Sequence, residues 1–149
     1  MAAVEFKDLP GLVGQEVGVS DWLEITQERV NQFAEATGDH QWIHVDVERA
    51  NREIGGPIAH GYLTLSLIPF LGAGLLDVDG VTRAINYGSD KIRFTGMVRV
   101  GKRVRLRQKL VSVEPKAGGL QLKNECTIEI EGEERPACVA ETISVIYGG

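Results

Sequence analysis

Cysteine and histidine are scarce in this chain, with two of the first and three of the second among 149 residues. Cys126 and Cys138 match no metal-ligand spacing, and no Cys/His cluster accompanies them, so no metal site is expected. Long hydrophobic runs are also missing. The most apolar stretch, Gly61 to Leu76, is broken by Pro69, Gly72 and Gly74, and it falls short of the roughly 20 residues a membrane span needs. It reads instead as a buried helix. The start shows no basic segment followed by an apolar one, so no secretory leader is expected and the cytoplasm is the expected compartment. There the two thiols stay reduced, as core side chains on strands expected to be neighbours. Positive charge is in deficit: the net charge is −5 and the pI about 5.2. That argues against a nucleic-acid binder with a basic surface, while leaving room for a local basic patch that meets a phosphorylated ligand. Repeats, low-complexity segments and a Gly-rich phosphate loop are all absent from the sequence.

What is present is enough apolar material for a core. Hydrophobic residues make up 43 %, and the length suits one domain spanning residues 1–149. Residues 1–14 read as irregular, with Pro10-Gly11 and Gly14 as breakers. Val17 to Ile25 suits a first strand. Thr26 is a plausible N-cap, and Val30, Phe33, Ala34 and Thr37 recur at helical spacing, with Gly38 at the C′ position. Asp46 caps a short helix over Val47 to Arg52, and Gly55-Gly56-Pro57 forces a turn. A long helix follows from about His60 to Leu76, apolar on most faces and therefore expected to be buried on nearly all sides.

From Val81 onward the period changes to two. Residues 81–94 form a strand region with a bulge expected at Gly88. Val104, Leu106 and Leu110 alternate with Arg103, Arg105, Arg107 and Lys109, and after a turn at Pro115 to Gly119 a second alternating run reaches Glu131. Gly132 to Pro136 turns the chain into a last strand, Ala137 to Tyr147. The basic ladder at 103–109 suggests a polyanion site. Glu125, Glu129 and Glu131 on the following strand favour ordinary cross-strand ion pairing instead. One long buried helix followed by several antiparallel strands is an α+β domain with helices on one face of a sheet.

The chemistry concentrates in Gly38-Asp39-His40-Gln41-Trp42-Ile43-His44 and in His60-Gly61. On a helix, the five-residue offset from Asp39 to His44 turns about 500°, which separates the side chains. A turn can instead bring carboxylate and imidazole over one pocket, where they can hold a water and move protons near neutral pH. The plainer alternative makes Asp39 a helix cap and His44 a satisfied loop histidine.

The run from Phe33 to Asp46, then Ile58-Ala59-His60-Gly61, Ile85-Asn86-Tyr87-Gly88 and Lys91-Ile92-Arg93-Phe94, resembles the (R)-specific enoyl-CoA hydratases, or MaoC-like dehydratases. Gln41 and Trp42 stand where that family usually has Asn-Pro, a change that bears on pocket shape and substrate preference. The resemblance implies a hot-dog fold, an antiparallel sheet wrapped around a long central helix. It also implies a homodimer and an overhang over residues 38–57 that covers the active site. It makes Asp39 and His44 the catalytic pair and the Gly61 N–H the oxyanion donor. The substrate is then an acyl-CoA, with no metal or other cofactor.

Gln41, Trp42, His60, Lys91 and Arg93 are candidate substrate contacts. Trp42 either lines the pocket mouth or packs the overhang, and His60 is suited to fixing the turn before Gly61. Lys91 or Arg93 either meets the phosphates of coenzyme A or serves in a structural ion pair. His40 sits at a position the family leaves variable. The expected reaction is hydration of trans-2-enoyl-CoA to (R)-3-hydroxyacyl-CoA, run in either direction. The alternatives are the same reaction on an acyl carrier protein, a hot-dog thioesterase, or a non-catalytic acyl-thioester binder. The Asp39–His44 pair argues against the last two.

Overall fold

The computed structural model describes residues 3–149; residues 1 and 2 of the N-terminal segment lie outside the described part. Six strands form one antiparallel sheet: β1 (Glu16–Val19), β2 (Leu23–Glu24), β3 (Val81–Arg93), β4 (Arg103–Lys116), β5 (Gly119–Ile130) and β6 (Cys138–Gly148). Their order is β1-β4-β5-β6-β3, with β2 pairing β4 beside β1. Five helices lie between β2 and β3: α1 (Gln27–Thr37), α2 (Trp42–Val45), α3 (Val47–Ile54), α4 (Gly61–Ser66) and α5 (Ile68–Gly72). Leu63, Leu67, Ile68 and Leu71 from α4–α5 pack with Val104, Leu106, Ile128 and Ala140 of the sheet in the main core. Each fully buried aliphatic side chain of this kind contributes roughly 1.5–3 kcal/mol.

Several local structures follow from the sequence chemistry as expected. Thr26 Oγ1 accepts from the Arg29 amide at 3.1 Å and caps α1. Gly38 ends that helix at φ 85°, a left-handed conformation that favours glycine. Asp46 caps α3 through the Arg49 amide at 3.1 Å. The ladder of arginines on β4 faces the glutamates of β5. Arg105 bonds Glu129 at 2.7 Å, Arg103 pairs with Glu131, and Arg107 reaches both Glu129 and Glu16. Arg105, with Arg107 behind it, holds the Glu129 carboxyl below the usual carboxylate range. Cys126 and Cys138 are free and buried on adjacent β5 and β6, and burial pushes the Cys138 thiol up to about 11. The register of β3 against β6 shifts between Asn86 and Gly88, where the bulge was expected.

Other elements differ from the sequence reading. Phe6–Leu12 is a 3₁₀ helix rather than irregular chain, and it buries Leu9 completely. A 3₁₀ turn leaves no 3.6-residue pattern to read, and Pro10 fits within it. The first strand is split into β1 and β2. At the break, Ser20 replaces part of the ladder with its side chain: its amide donates to the Leu106 carbonyl, and its hydroxyl accepts from the Leu106 amide, each at 2.8 Å.

The central helix is also divided. Pro69 lacks the amide that would bond the Leu65 carbonyl, and α4 and α5 meet at Leu67. Nor is this pair enclosed on nearly all sides, since Tyr62 is 68 % and Phe70 63 % exposed. Tyr62 meets Phe94 edge to face, and Phe70 lies by the segment from Val19 to Leu23; β3 itself is largely exposed and pairs with β6 alone among the described residues. Among the described residues, no helix is long and apolar enough to cross a membrane.

Candidate active site

The overhang begins where α1 stops. Gly38 turns the chain out of the helix, and Asp39 follows in an exposed loop, with its Oδ1 accepting from the Gln41 amide at 3.3 Å. The short helix α2 then carries His44 inward, where it is buried. A turn of this shape does what a continuous helix cannot. A carboxylate oxygen of Asp39 and ring nitrogens of His44 and His60 all lie within 4.8 Å of one another. Such a spacing is bridged by one water making two hydrogen bonds of about 2.8 Å.

The tautomer of His44 follows from its partner. Its Nδ1 lies 2.7 Å from the Ile58 carbonyl, which can only accept, so Nδ1 carries the proton and Nε2 keeps its lone pair. Burial pushes the His44 pKa below its usual value; the Ile58 bond opposes this, nearby His60 reinforces it, and Asp39 opposes it weakly. A neutral imidazole with a free nitrogen suits a proton acceptor. The Gln27 side chain steadies this helix from α1, donating to the His44 carbonyl at 2.8 Å.

His44 and Gly61 line one cavity of about 460 Å³, together with Ile58, Thr64, Phe94, Met97 and Arg135 among others. Gly61 is the first residue of α4, so its N–H has no intrahelical acceptor. A side chain there would meet the Phe94 ring at 3.0–3.2 Å, which explains glycine at this position by packing as well as by access. Phe94, Met97 and Arg135 were not among the sequence candidates. They come from the strand end and loops across the cavity, at distances along the chain that no local motif spans.

The remaining candidates are spread more widely. Gln41 is exposed at the start of α2, where its carbonyl accepts from the His44 amide. Trp42 packs within the overhang under Arg49, whose guanidinium sits 4.0 Å from the ring centre. Lys91 stands on β3 in a left-handed conformation, φ 54°, and pairs with Glu141 at 3.2 Å. Arg93, also on β3 and exposed, bonds the Ile92 carbonyl. His40 points out toward Glu35 at 3.8 Å, away from the pair. His60 is 2 % exposed, its ring stacked on His44 with centroids 3.8 Å apart and planes 21° apart.

The Asp39–His44–His60 group is also the kind of cluster that metals occupy, but its geometry is poor for one. Imidazole lone pairs lie in the ring plane, and two nearly parallel stacked rings cannot both aim theirs at a single ion.

Residues 8–130 match the family model described as a MaoC-like domain. Among curated proteins, the chain is 54 % identical over 138 residues to the 3-hydroxyacyl-thioester dehydratase Z of Mycobacterium tuberculosis H37Rv, covering 91 % of each. It is 41 % identical over 150 residues to nodulation protein N of Rhizobium leguminosarum bv. viciae, covering 98 % of this chain and 93 % of that one. Among solved structures, it is similar to the (R)-hydratase from A. caviae involved in PHA biosynthesis, with a TM-score of 0.72, 23 % identity, and coverage of 89 % and 94 % respectively. That likeness establishes the hot-dog fold.

Proposed function

This chain belongs to the MaoC-like dehydratase family, and from that membership we propose that it is an (R)-specific hydratase of trans-2-enoyl-CoA, working reversibly as a 3-hydroxyacyl-CoA dehydratase. The observation that carries the reading is the convergence of the Asp39 carboxylate and the His44 imidazole beside the cavity that Gly61 also lines.

In the hydration direction, one water sits between Asp39 and the free Nε2 of His44. Its oxygen bonds to C3 of the enoyl group as one O–H bond breaks. The pair takes up that proton and delivers a proton to C2, so water is added across the double bond. Negative charge that develops on the thioester oxygen meets the Gly61 N–H at the positive end of α4. Dehydration runs the same steps in reverse. No group beyond the substrate's own coenzyme A is required for this chemistry. Arg135 on the cavity wall and exposed Arg93 are the proposed partners of coenzyme A phosphates, whereas Lys91 is drawn toward Glu141.

The working form is a homodimer in the cytoplasm. Support comes from the open edge of β3 and from the exposed side chains Tyr62, Phe70, Ile85 and Tyr87, which a second copy would cover.

The test is a panel of trans-2-enoyl-CoAs from about four carbons upward, followed by loss of the conjugated-thioester absorbance. The product is then offered to (R)- and (S)-specific 3-hydroxyacyl dehydrogenases. Turnover with (R)-product supports the reading. Turnover only on enoyl-acyl carrier protein would move the carrier, release of free thiol would make the protein a thioesterase, and binding without turnover would make it an acyl-thioester binder.

A further inference from the structure

We propose that His60 is a positioning residue for the Asp39–His44 pair, holding the Asp39 main chain with one ring nitrogen while its ring face fixes the plane of His44. The inference rests on the hydratase reading for its kinetic meaning. Four observations carry it.

The first is the bond itself. His60 Nε2 lies 3.0 Å from the Asp39 carbonyl, 21 residues earlier in the chain. A carbonyl only accepts, so Nε2 is the donor. That bond ties the exposed loop carrying the carboxylate to the start of α4, which is itself packed in the core. The second is the stack. The His60 ring stacks on His44 with centroids 3.8 Å apart, and the tilted ring of Phe33 from α1 has its centroid 4.8 Å away. His44 is thereby held twice, by its ring face on His60 and by Nδ1–H on the Ile58 carbonyl.

The third is the rigidity of the segment that carries His60. The Ile58 amide donates to the Ile43 carbonyl at 3.0 Å, and the Ala59 amide to the Val98 carbonyl at 2.8 Å. The His60 carbonyl accepts from the Thr64 amide at 3.2 Å and the Thr64 hydroxyl at 3.4 Å. Residues 58–60 therefore act as a template against which both halves of the pair are aligned.

The fourth is what His60 forgoes. It occupies the N-cap of α4 and makes no side-chain cap bond, and its Nδ1 is buried without a partner. A residue needed only to start the helix would do better as Ser, Thr or Asp, and one needed only to fill space would leave no polar atom stranded. The imidazole at this position combines a flat face with a donor that stands farther from the backbone than a Ser hydroxyl.

Two variants separate the two contacts. His60→Phe keeps a flat ring for His44 and loses the donor. His60→Gln keeps a donor at the Nε2 position and loses the aromatic face. Because a misplacement of about 1 Å can cost ~10²-fold in rate, His60→Phe should lower kcat by about tenfold or more, with KM within about twofold of wild type. His60→Gln should recover at least about fivefold of that loss. His60→Leu, which also lacks the donor, replaces His60→Phe should that variant fail to fold.

Amide hydrogen exchange of residues 39–44 is measured alongside, because it reads the anchoring without turnover. Protection there should fall in the donor-less variant and be retained in His60→Gln, with the β4–β5 amides unchanged in both. Near-normal kcat in the donor-less variant, equal losses in both variants, a loss confined to KM, or unchanged exchange over 39–44 would each overturn the proposal. Wild-type protein that fails to hydrate enoyl thioesters would sink the hydratase reading instead, and the exchange result would still decide whether His60 anchors Asp39.

Discussion

At the scale of single residues, the chemistry depends on where protons are already committed. His44 donates through Nδ1 to Ile58, and burial outweighs that bond and pushes its pKa below the usual 6.5. The sign of the consequence follows from linkage. As pH falls through 6.5 the unfolded chain takes up a proton on this histidine, while the folded chain does so only at lower pH. The stability that His44 contributes is therefore complete above pH 6.5 and declines as pH drops toward its folded value. Urea midpoints measured from about pH 8 to pH 5 should fall on the acid side in wild type and fall less steeply in His44→Gln. A steeper fall in His44→Gln would show that the imidazole is not held neutral. The acid limb of kcat should likewise lie below pH 6.5. Asp39 and His44 were legible from spacing and family resemblance. Their convergence through a turn after Gly38 is part of that reading; the approach of His60 to the pair is not, because it depends on packing between segments 21 residues apart.

At the scale of elements, α1 was read almost whole from its apolar spacing, its Thr26 cap and its Gly38 stop, since those signals are local and agree with one another. Thr26→Ala should therefore cost about 1 kcal/mol in urea unfolding by freeing the Arg29 amide. Because α1 presents Asp39 and its Gln27 holds α2, the same variant should show faster amide exchange over residues 38–44. An unchanged midpoint would mean the cap is replaced by water at no cost. The central helix was read too long and too enclosed. Its composition is apolar throughout, but Pro69 divides it, and Tyr62 and Phe70 face outward. Composition alone does not separate a face buried in the same chain from one that a second copy could cover. The same limit applies to Arg135, Phe94 and Met97, which reach the cavity from segments far along the chain.

At the scale of the whole molecule, the sheet ends at β3, thirteen residues of which all but Ile92 are exposed, with an edge that is unpaired among the described residues. Soluble proteins rarely leave such an edge open. Sedimentation at micromolar concentration should give about twice the 16.3 kDa chain mass, and Ile85→Lys, which places charge on that strand, should shift the protein toward monomer. A wild-type monomer would remove the homodimer from the proposal. The central claim is that Asp39 and His44 share one water as a unit, and turnover of trans-2-enoyl-CoA by Asp39→Asn tests it most directly. Asparagine keeps the oxygen that accepts from Gln41, and the His60 bond goes to the main chain, so the loop should stand while the carboxylate base is gone. With folding verified by circular dichroism, kcat should fall by roughly 10² or more, and adding His44→Gln should lower it little further. A folded Asp39→Asn protein that hydrates the enoyl thioester at near-normal rate would contradict the shared-water mechanism.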